Sequence, residues 1–217
     1  MSEFGKARQK MVDNQIRTTD VTSYRVLDAF LTVPREKFVP TPMRSLAYSD
    51  SDIRISDRRV MTQPSPLAKM LQLADIKPDD IVLIIASGSG YTAALASRLS
   101  NTVVAVERDE VLAQSSEAAI AALGYDNIAV IPGNPKEGVP SEGPYDVIFI
   151  DGAVEEVPKD LLDQLKDGGA LVTAEGRDHM AEAVRILRNG DHFSRMSAFD
   201  TNAPMLAEFT RSPSFTL

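Results

Sequence analysis

The sequence has no cysteine, no tryptophan and only two histidines in 217 residues. Without cysteine there is no disulfide, no thiolate zinc site and no Cys nucleophile. His179 and His192 alone cannot build a three-histidine cage, so no metal is expected. No apolar run approaches the ~20 residues that a membrane-spanning helix needs. Met1-Ser2-Glu3-Phe4-Gly5-Lys6 lacks the charged-then-apolar layout of a secretory leader, so a cytoplasmic location is expected. Positive charge is also short, with 23 Lys+Arg against 31 Asp+Glu and a net charge of −8. That balance argues against nucleic acid or an anionic membrane as partner. With 43% hydrophobic and 25% charged residues the chain can build a sizeable core. These absences leave a protein that uses a bound organic cofactor or none, and they leave its oligomeric state open.

The texture changes near residue 78. Residues 1–77 read as a helical and irregular segment. Phe4, Ala7, Met11 and Val12 recur at helical spacing, Tyr24 to Leu31 does the same, and Leu67 to Ala74 forms a short helix. The prolines of Val33-Pro34-Arg35-Glu36-Lys37-Phe38-Val39-Pro40 end the second of these. Residues 78–217 alternate strand and helix. Ile81–Ile85, Thr102–Val106, Ile128–Ile131, Tyr145–Ile150 and Ala170–Thr173 are expected strands. Tyr91–Leu99, Glu110–Leu123, Lys159–Leu165 and Met180–Leu187 are expected helices, and the tail from Phe193 is expected to add one or two antiparallel strands. The pattern predicts an α/β fold. It is a doubly wound, Rossmann-like sheet, mostly parallel with an antiparallel C-terminal strand, and the N-terminal segment packs on it. Ligands of such sheets sit at the carboxyl ends of the strands.

The first of these strands runs into Ala86-Ser87-Gly88-Ser89-Gly90 and then a helix. Small residues here allow close backbone approach to a ligand, and the helix start offers free N–H groups. Glu107 ends the next strand, placed to accept both hydroxyls of a ribose. The pair points to a cofactor containing a nucleoside. A plainer alternative has the glycines making only a tight turn and Glu107 pairing with an arginine such as Arg108. Gly88 to Ala93 also satisfies a dinucleotide-binding pattern. Arg58-Arg59 reads as a solvated pair that could meet an anionic substrate, and both histidines read as solvated. Asp151 ends the fourth strand, where it either faces a ligand or caps local N–H groups. Thr62, before Gln63-Pro64, reads by itself as a turn or N-cap residue.

Several segments, in order, resemble the protein-L-isoaspartate O-methyltransferase family over the first 175 residues or so. They are Val33 to Pro40, Met61-Thr62-Gln63-Pro64, Gly88-Ser89-Gly90-Tyr91, Val106-Glu107-Arg108, Leu123 to Asn127, Tyr145 to Ile148 and Leu165 to Val172. The resemblance implies methyl transfer from S-adenosylmethionine to the free carboxylate of isoaspartyl residues in damaged proteins. It implies cofactor contacts from Ala86, Ser87, Gly88, Gly90, Glu107, Arg108 and Asn134, and a Thr62 hydroxyl that orients the acceptor. Such chemistry needs no general base, because a carboxylate of pKa ~4 is already ionised at pH 7.

The chain departs from the family at Ile84, which replaces an acid near the cofactor's methionine end. It departs again at Ala86, which replaces a glycine, and at Asn134, which replaces an aspartate. Loss of a charge-assisted bond at residue 84 would weaken cofactor binding by about one to two orders of magnitude, and Ile84→Glu is expected to restore it. Two alternatives accompany the enzyme reading. One is a degenerate member acting as a binding or regulatory module, and the other is a dinucleotide-binding oxidoreductase resting only on Gly88 to Ala93.

Overall fold

A computed structural model describes residues 2–177 and 180–210. The expectation for His179, and that for the tail past residue 210, lie outside the described residues.

The chain starts with α1 (Glu3–Met11), capped by the Ser2 hydroxyl, which accepts the Gly5 N–H at 3.1 Å. A π-helical turn (Val12–Ile16) and a 3-10 turn (Arg17–Thr19) follow. Next come α2 (Tyr24–Thr32), which ends before Pro34, and the short antiparallel hairpin of β1 (Ile53–Arg54) and β2 (Val60–Met61). Then α3 (Pro64–Ala74) begins on a proline, whose fixed φ suits a first turn.

From there strand and helix alternate: β3 (Ile81–Ile85), α4 (Tyr91–Ser97), β4 (Thr102–Glu107), α5 (Glu110–Ala122), β5 (Ile128–Pro132), β6 (Tyr145–Val154), α6 (Lys159–Leu162) and β7 (Leu165–Arg177). The chain closes with β8 (Met180–Asn189), β9 (His192–Thr201) and a 3-10 turn at Ala207–Phe209. The sheet order is β5-β4-β3-β6-β7-β8-β9. Its first five strands are parallel and its last two antiparallel.

β3 sits at the centre, and Val82 to Ile85 have no exposed surface. Its residues alternate between two cores, as strand geometry requires. Leu83 and Ile85 join Val104, Val106 and Ile148 on one face. Val82 and Ile84 face the other, where Met11, Ile16, Phe30 and Leu67 from the N-terminal segment complete the cluster. Each such side chain contributes roughly 1.5–3 kcal/mol of burial.

Met180 to Leu187 is a strand, not a helix. It pairs along β7 from Arg177↔Met180 to Ala170↔Leu187. The buried positions are 181 and 183, in the core with the N-terminal segment, and then 184 and 186, with Ile186 in the opposite core, so burial changes sheet face along the strand. The β8–β9 register shift leaves Ala198 as the extra residue on β9, while β8 keeps its period of two against β7. With Ala, Glu, Leu and Arg filling the segment, the result imitates an amphipathic helix. The antiparallel end of the sheet is therefore two long strands rather than one. A second irregularity lies between Phe149 and Ala153 on β6, where Asp151 leaves the ladder.

Candidate functional site

Four features meet at the carboxyl end of the parallel strands: the glycine loop after β3, the end of β4, the bulge of β6 and the turn after β2. In the loop, Ala86 has φ +58° and Gly88 φ +55°. A side chain in that left-handed region costs about 1–2 kcal/mol, so the strain at Ala86 explains why glycine suits that position. Glycine at residue 90 is required by packing, since a Cβ there would lie 2.3 Å from Ser116 Oγ on α5. Ser87 donates its N–H to Val106 O at 3.0 Å, while its hydroxyl is buried with no partner.

Glu107, at the end of β4, has no exposed surface. Its Oε1 accepts the amides of Arg108 at 2.8 Å and Asp109 at 3.0 Å. Its Oε2 accepts the Gly88 amide at 2.8 Å and Arg59 Nε at 2.9 Å. Arg59 is thus buried rather than solvated, and its Nη1 reaches Glu208 Oε2 at 3.0 Å. Burial works against the Arg59 charge, but the bonds to Glu208 and Glu107 outweigh it and raise its pKa. Arg58 is exposed, as expected. These residues, with Arg108 and Asp109, line a cavity of about 280 Å³.

The second half of the site is built on Asp151. The bulge turns its carboxyl toward Thr92 Oγ1, which donates at 2.6 Å, and Thr62 Oγ1, which donates at 3.4 Å. Burial pushes this carboxyl up to about 6, although the two threonines, Arg35 and Arg59 all favour its ionised form. Thr62 is therefore no N-cap: α3 is capped at Gln63 without a side-chain bond. Arg35 positions Thr62. Its fully buried guanidinium lies over the Tyr91 ring at 4.7 Å and donates to Ala47 O and Thr62 O, each at 2.8 Å. The Val33 to Pro40 segment that carries the resemblance thus serves to hold the Thr62 turn.

The structure brings Thr62, Ala86, Ser87, Gly88, Gly90, Glu107 and Arg108 to one sheet edge. Asn134 stands just beyond β5 near that edge, exposed, and its side chain is spent on Lys136 N and Glu137 Oε1. Ile84 is wholly enclosed in the core and presents no surface to a ligand. Asp151 accepts from the Thr62 and Thr92 hydroxyls at the β6 bulge. Arg35, Thr92 and Glu208 were not expected there, and Arg59 was read as one of a solvated pair that could meet an anionic substrate. Thr92 carried a local signal, since it follows the glycine loop directly, and Arg35 lay within the Val33 to Pro40 segment.

Does this edge suit S-adenosylmethionine? The nucleoside half carries the chemistry that a ribose and its neighbours call for: a strand-end carboxylate, the Gly88 amide and the orphaned Ser87 hydroxyl. A larger cavity of about 740 Å³ lies between α3 and the β8–β9 hairpin, lined in part by Ser65, Lys69, Glu175, Phe199 and Asn202. Gln63, next to Thr62, bonds Asn202 at 2.7 Å.

Comparison with known proteins agrees with this geometry. The family model for protein-L-isoaspartate(D-aspartate) O-methyltransferase matches residues 6–201. The protein-L-isoaspartate O-methyltransferase of Syntrophus aciditrophicus is 35% identical over 90% of this chain and 90% of its own length. That of Rhodopseudomonas palustris is 41% identical over 83% and 84%, and that of Koribacter versatilis 34% identical over 98% and 96%. A solved protein-L-isoaspartate O-methyltransferase superposes with a TM-score of 0.81 at 28% identity, covering 91% of this chain; the chain spans 65% of that protein's length. A Plasmodium falciparum relative solved with S-adenosyl-L-homocysteine shares the fold, with a TM-score of 0.80 at 23% identity over 93% of this chain and 98% of its own. With a family model spanning most of its length, a shared fold and the glycine loop, Glu107 and Thr62 at one edge, the chain belongs to the protein-L-isoaspartate(D-aspartate) O-methyltransferase family, a class of S-adenosylmethionine-dependent enzymes.

Proposed function

We propose that this chain performs its family's reaction on isoaspartyl carboxylates of proteins or peptides, with Thr62 at the acceptor and Glu107 at the cofactor ribose. The observation that carries the proposal is the placement of the Thr62 hydroxyl beside the Asp151 bulge, on the same sheet edge as the glycine loop and Glu107.

Bound S-adenosylmethionine supplies an electrophilic methyl group on a sulfonium that carries its own leaving group. The chain's residues then have little bond chemistry of their own to do. Glu107, Ser87 and the Gly88 amide would hold the nucleoside, with Arg108 at the rim, and Asn134 would reach the adenine only by giving up its bonds to Lys136 N and Glu137 Oε1. Thr62, fixed through its carbonyl by Arg35, turns its hydroxyl from Asp151 to the acceptor carboxylate and orients it. That carboxylate is already ionised at neutral pH, so no base is needed, and rate comes from positioning and exclusion of water. Asp151 adds a pH dependence: its ionised form would repel an anionic acceptor and compete for the Thr62 hydroxyl. Residues 1–77 would act as the cover that supplies Thr62, and residues 78–217 as the cofactor-binding unit. The groove between α3 and the β8–β9 hairpin opens beside Gln63 and gives a polypeptide a path to Thr62.

The test is calorimetric titration of S-adenosylhomocysteine, with NAD as control. Transfer of labelled methyl from S-adenosylmethionine to an isoaspartyl peptide, against its aspartyl twin, follows. Binding of the first ligand alone and labelling of the isoaspartyl peptide alone are expected. A folded protein that labels neither peptide would overturn the proposal.

A further inference from the structure

Arg59 reaches the cofactor edge from the β1–β2 hairpin, which also lies on the glycine loop: a Cβ on Gly88 would meet Ile55 Cδ1 at 2.9 Å. A carboxylate offers about four acceptor positions. Glu107 already accepts four hydrogen bonds, one of them charge-assisted from Arg59 Nε. It has none left for a ribose diol. Arg59 itself is incompletely satisfied, since its Nη2 is buried with no partner. It also has a second anchor, Glu208, which comes from a segment tied to the β6 bulge. There Ala153 N–H donates to Pro204 O at 2.7 Å and Leu206 N–H to Ala153 O at 2.9 Å. The guanidinium can therefore give up Glu107 and keep a carboxylate.

We propose, resting on the S-adenosylmethionine reading above, that Arg59 is a built-in competitor for the ribose-binding carboxylate and that the cofactor binds by exchange with it. A ribose hydroxyl takes the position on Glu107 Oε2 that Arg59 vacates as it withdraws to Glu208. Charge-assisted bonds are roughly twice as strong as neutral ones, so the exchange holds cofactor affinity down by about one to two orders of magnitude. Because β2 ends at Met61, the hairpin that releases Arg59 is the one that leads into Thr62.

The test uses the full chain. S-adenosylhomocysteine is titrated calorimetrically into wild type, Arg59→Gln, Arg59→Lys and the Arg59→Gln/Glu107→Gln double variant, each checked for folding by circular dichroism. Arg59→Gln is expected to bind at least tenfold tighter than wild type. Arg59→Lys, too compact a charge to span both carboxylates, is expected to fall between them, and the double variant to lose the gain. A purely structural arginine would not raise affinity when removed. If Arg59→Gln fails to fold, tighter binding by Arg59→Lys supports the proposal in its place. If wild type binds and the folded variants bind no tighter, the exchange is overturned while the cofactor reading stands. If neither wild type nor any folded variant binds, both fall.

Discussion

Replacing Asp151 by Asn should stabilise the protein at neutral pH, and by an amount that depends on pH in a defined direction. Burial raises the Asp151 carboxyl from 3.8 to about 6 in the folded chain. That is close to a hundredfold in proton affinity, or on the order of 3 kcal/mol against the ionised form. The sign follows from proton uptake. Between 3.8 and about 6 the folded chain holds a proton that the unfolded chain has released, so the contribution of Asp151 falls as pH rises through this window. Above it both states are ionised and the full cost is present. Below it both are protonated and the cost is gone. Asparagine never ionises, and its amide oxygen still accepts from Thr92.

The side chain is only half-buried, so solvent reduces the gap, and about 1–3 kcal/mol in favour of Asp151→Asn is expected at pH 7.5. For a chain of this size 2 kcal/mol is about 4–8 °C in Tm. Urea unfolding of both proteins, followed by circular dichroism from pH 4 to pH 8, measures the gap directly. It should close toward zero at pH 4. A gap that is constant with pH, or a variant less stable than wild type at pH 7.5, would refute the placement of a strained carboxylate in the bulge.

Other substitutions test other parts of the site. Thr62→Val should cut kcat/KM on an isoaspartyl peptide by about 10–100-fold through loss of one hydrogen bond to a charged acceptor, with Thr62→Ser near wild type; equal activity of all three would remove Thr62 from the reaction. The same assay should show wild-type activity declining as pH rises through about 6, the Asp151 value, and Asp151→Asn should flatten that limb of the profile. Ala86→Gly should add about 1 kcal/mol in chemical denaturation by relieving the left-handed strain at that residue. Ile84→Glu, expected from sequence to restore cofactor affinity, should instead lower stability by about 3 kcal/mol or more, because Ile84 is fully enclosed. A stable Ile84→Glu protein with tighter S-adenosylhomocysteine binding would show that this core position opens to the ligand.

Much of the fold was legible locally. The apolar run Ile81–Ile85, the small residues from Ala86 to Gly90 and the acid that ends the next strand at residue 107 are each short local signals, set by burial on both sheet faces and by turn chemistry. The segment order that carried the resemblance pointed to the family, and Thr62 came with it. The failure at Met180 to Leu187 has the same root. Periodicity reports which side chains are buried, and burial that passes from one sheet face to the other between Ala183 and Val184 gave a strand the spacing of a helix.

What the sequence by itself determined was the element order of the sheet's parallel part, its ligand edge and the residues that local turns place there. Tertiary structure alone decided the state of that edge. Arg59, Glu107 and Glu208 lie 48 and 149 residues apart in the pairs they form, and no local pattern encodes which arginine a buried carboxylate will take. Asp151 could be read as a ligand-facing or a capping residue until the β6 bulge aimed it at Thr62 and Thr92. Arg35, within a recognisable motif, acquired its role only when folding placed the Thr62 carbonyl against it. Charge pairing and side-chain aim depend on which distant segments the core brings together, and hydrophobic patterning carries that information only through the fold it produces.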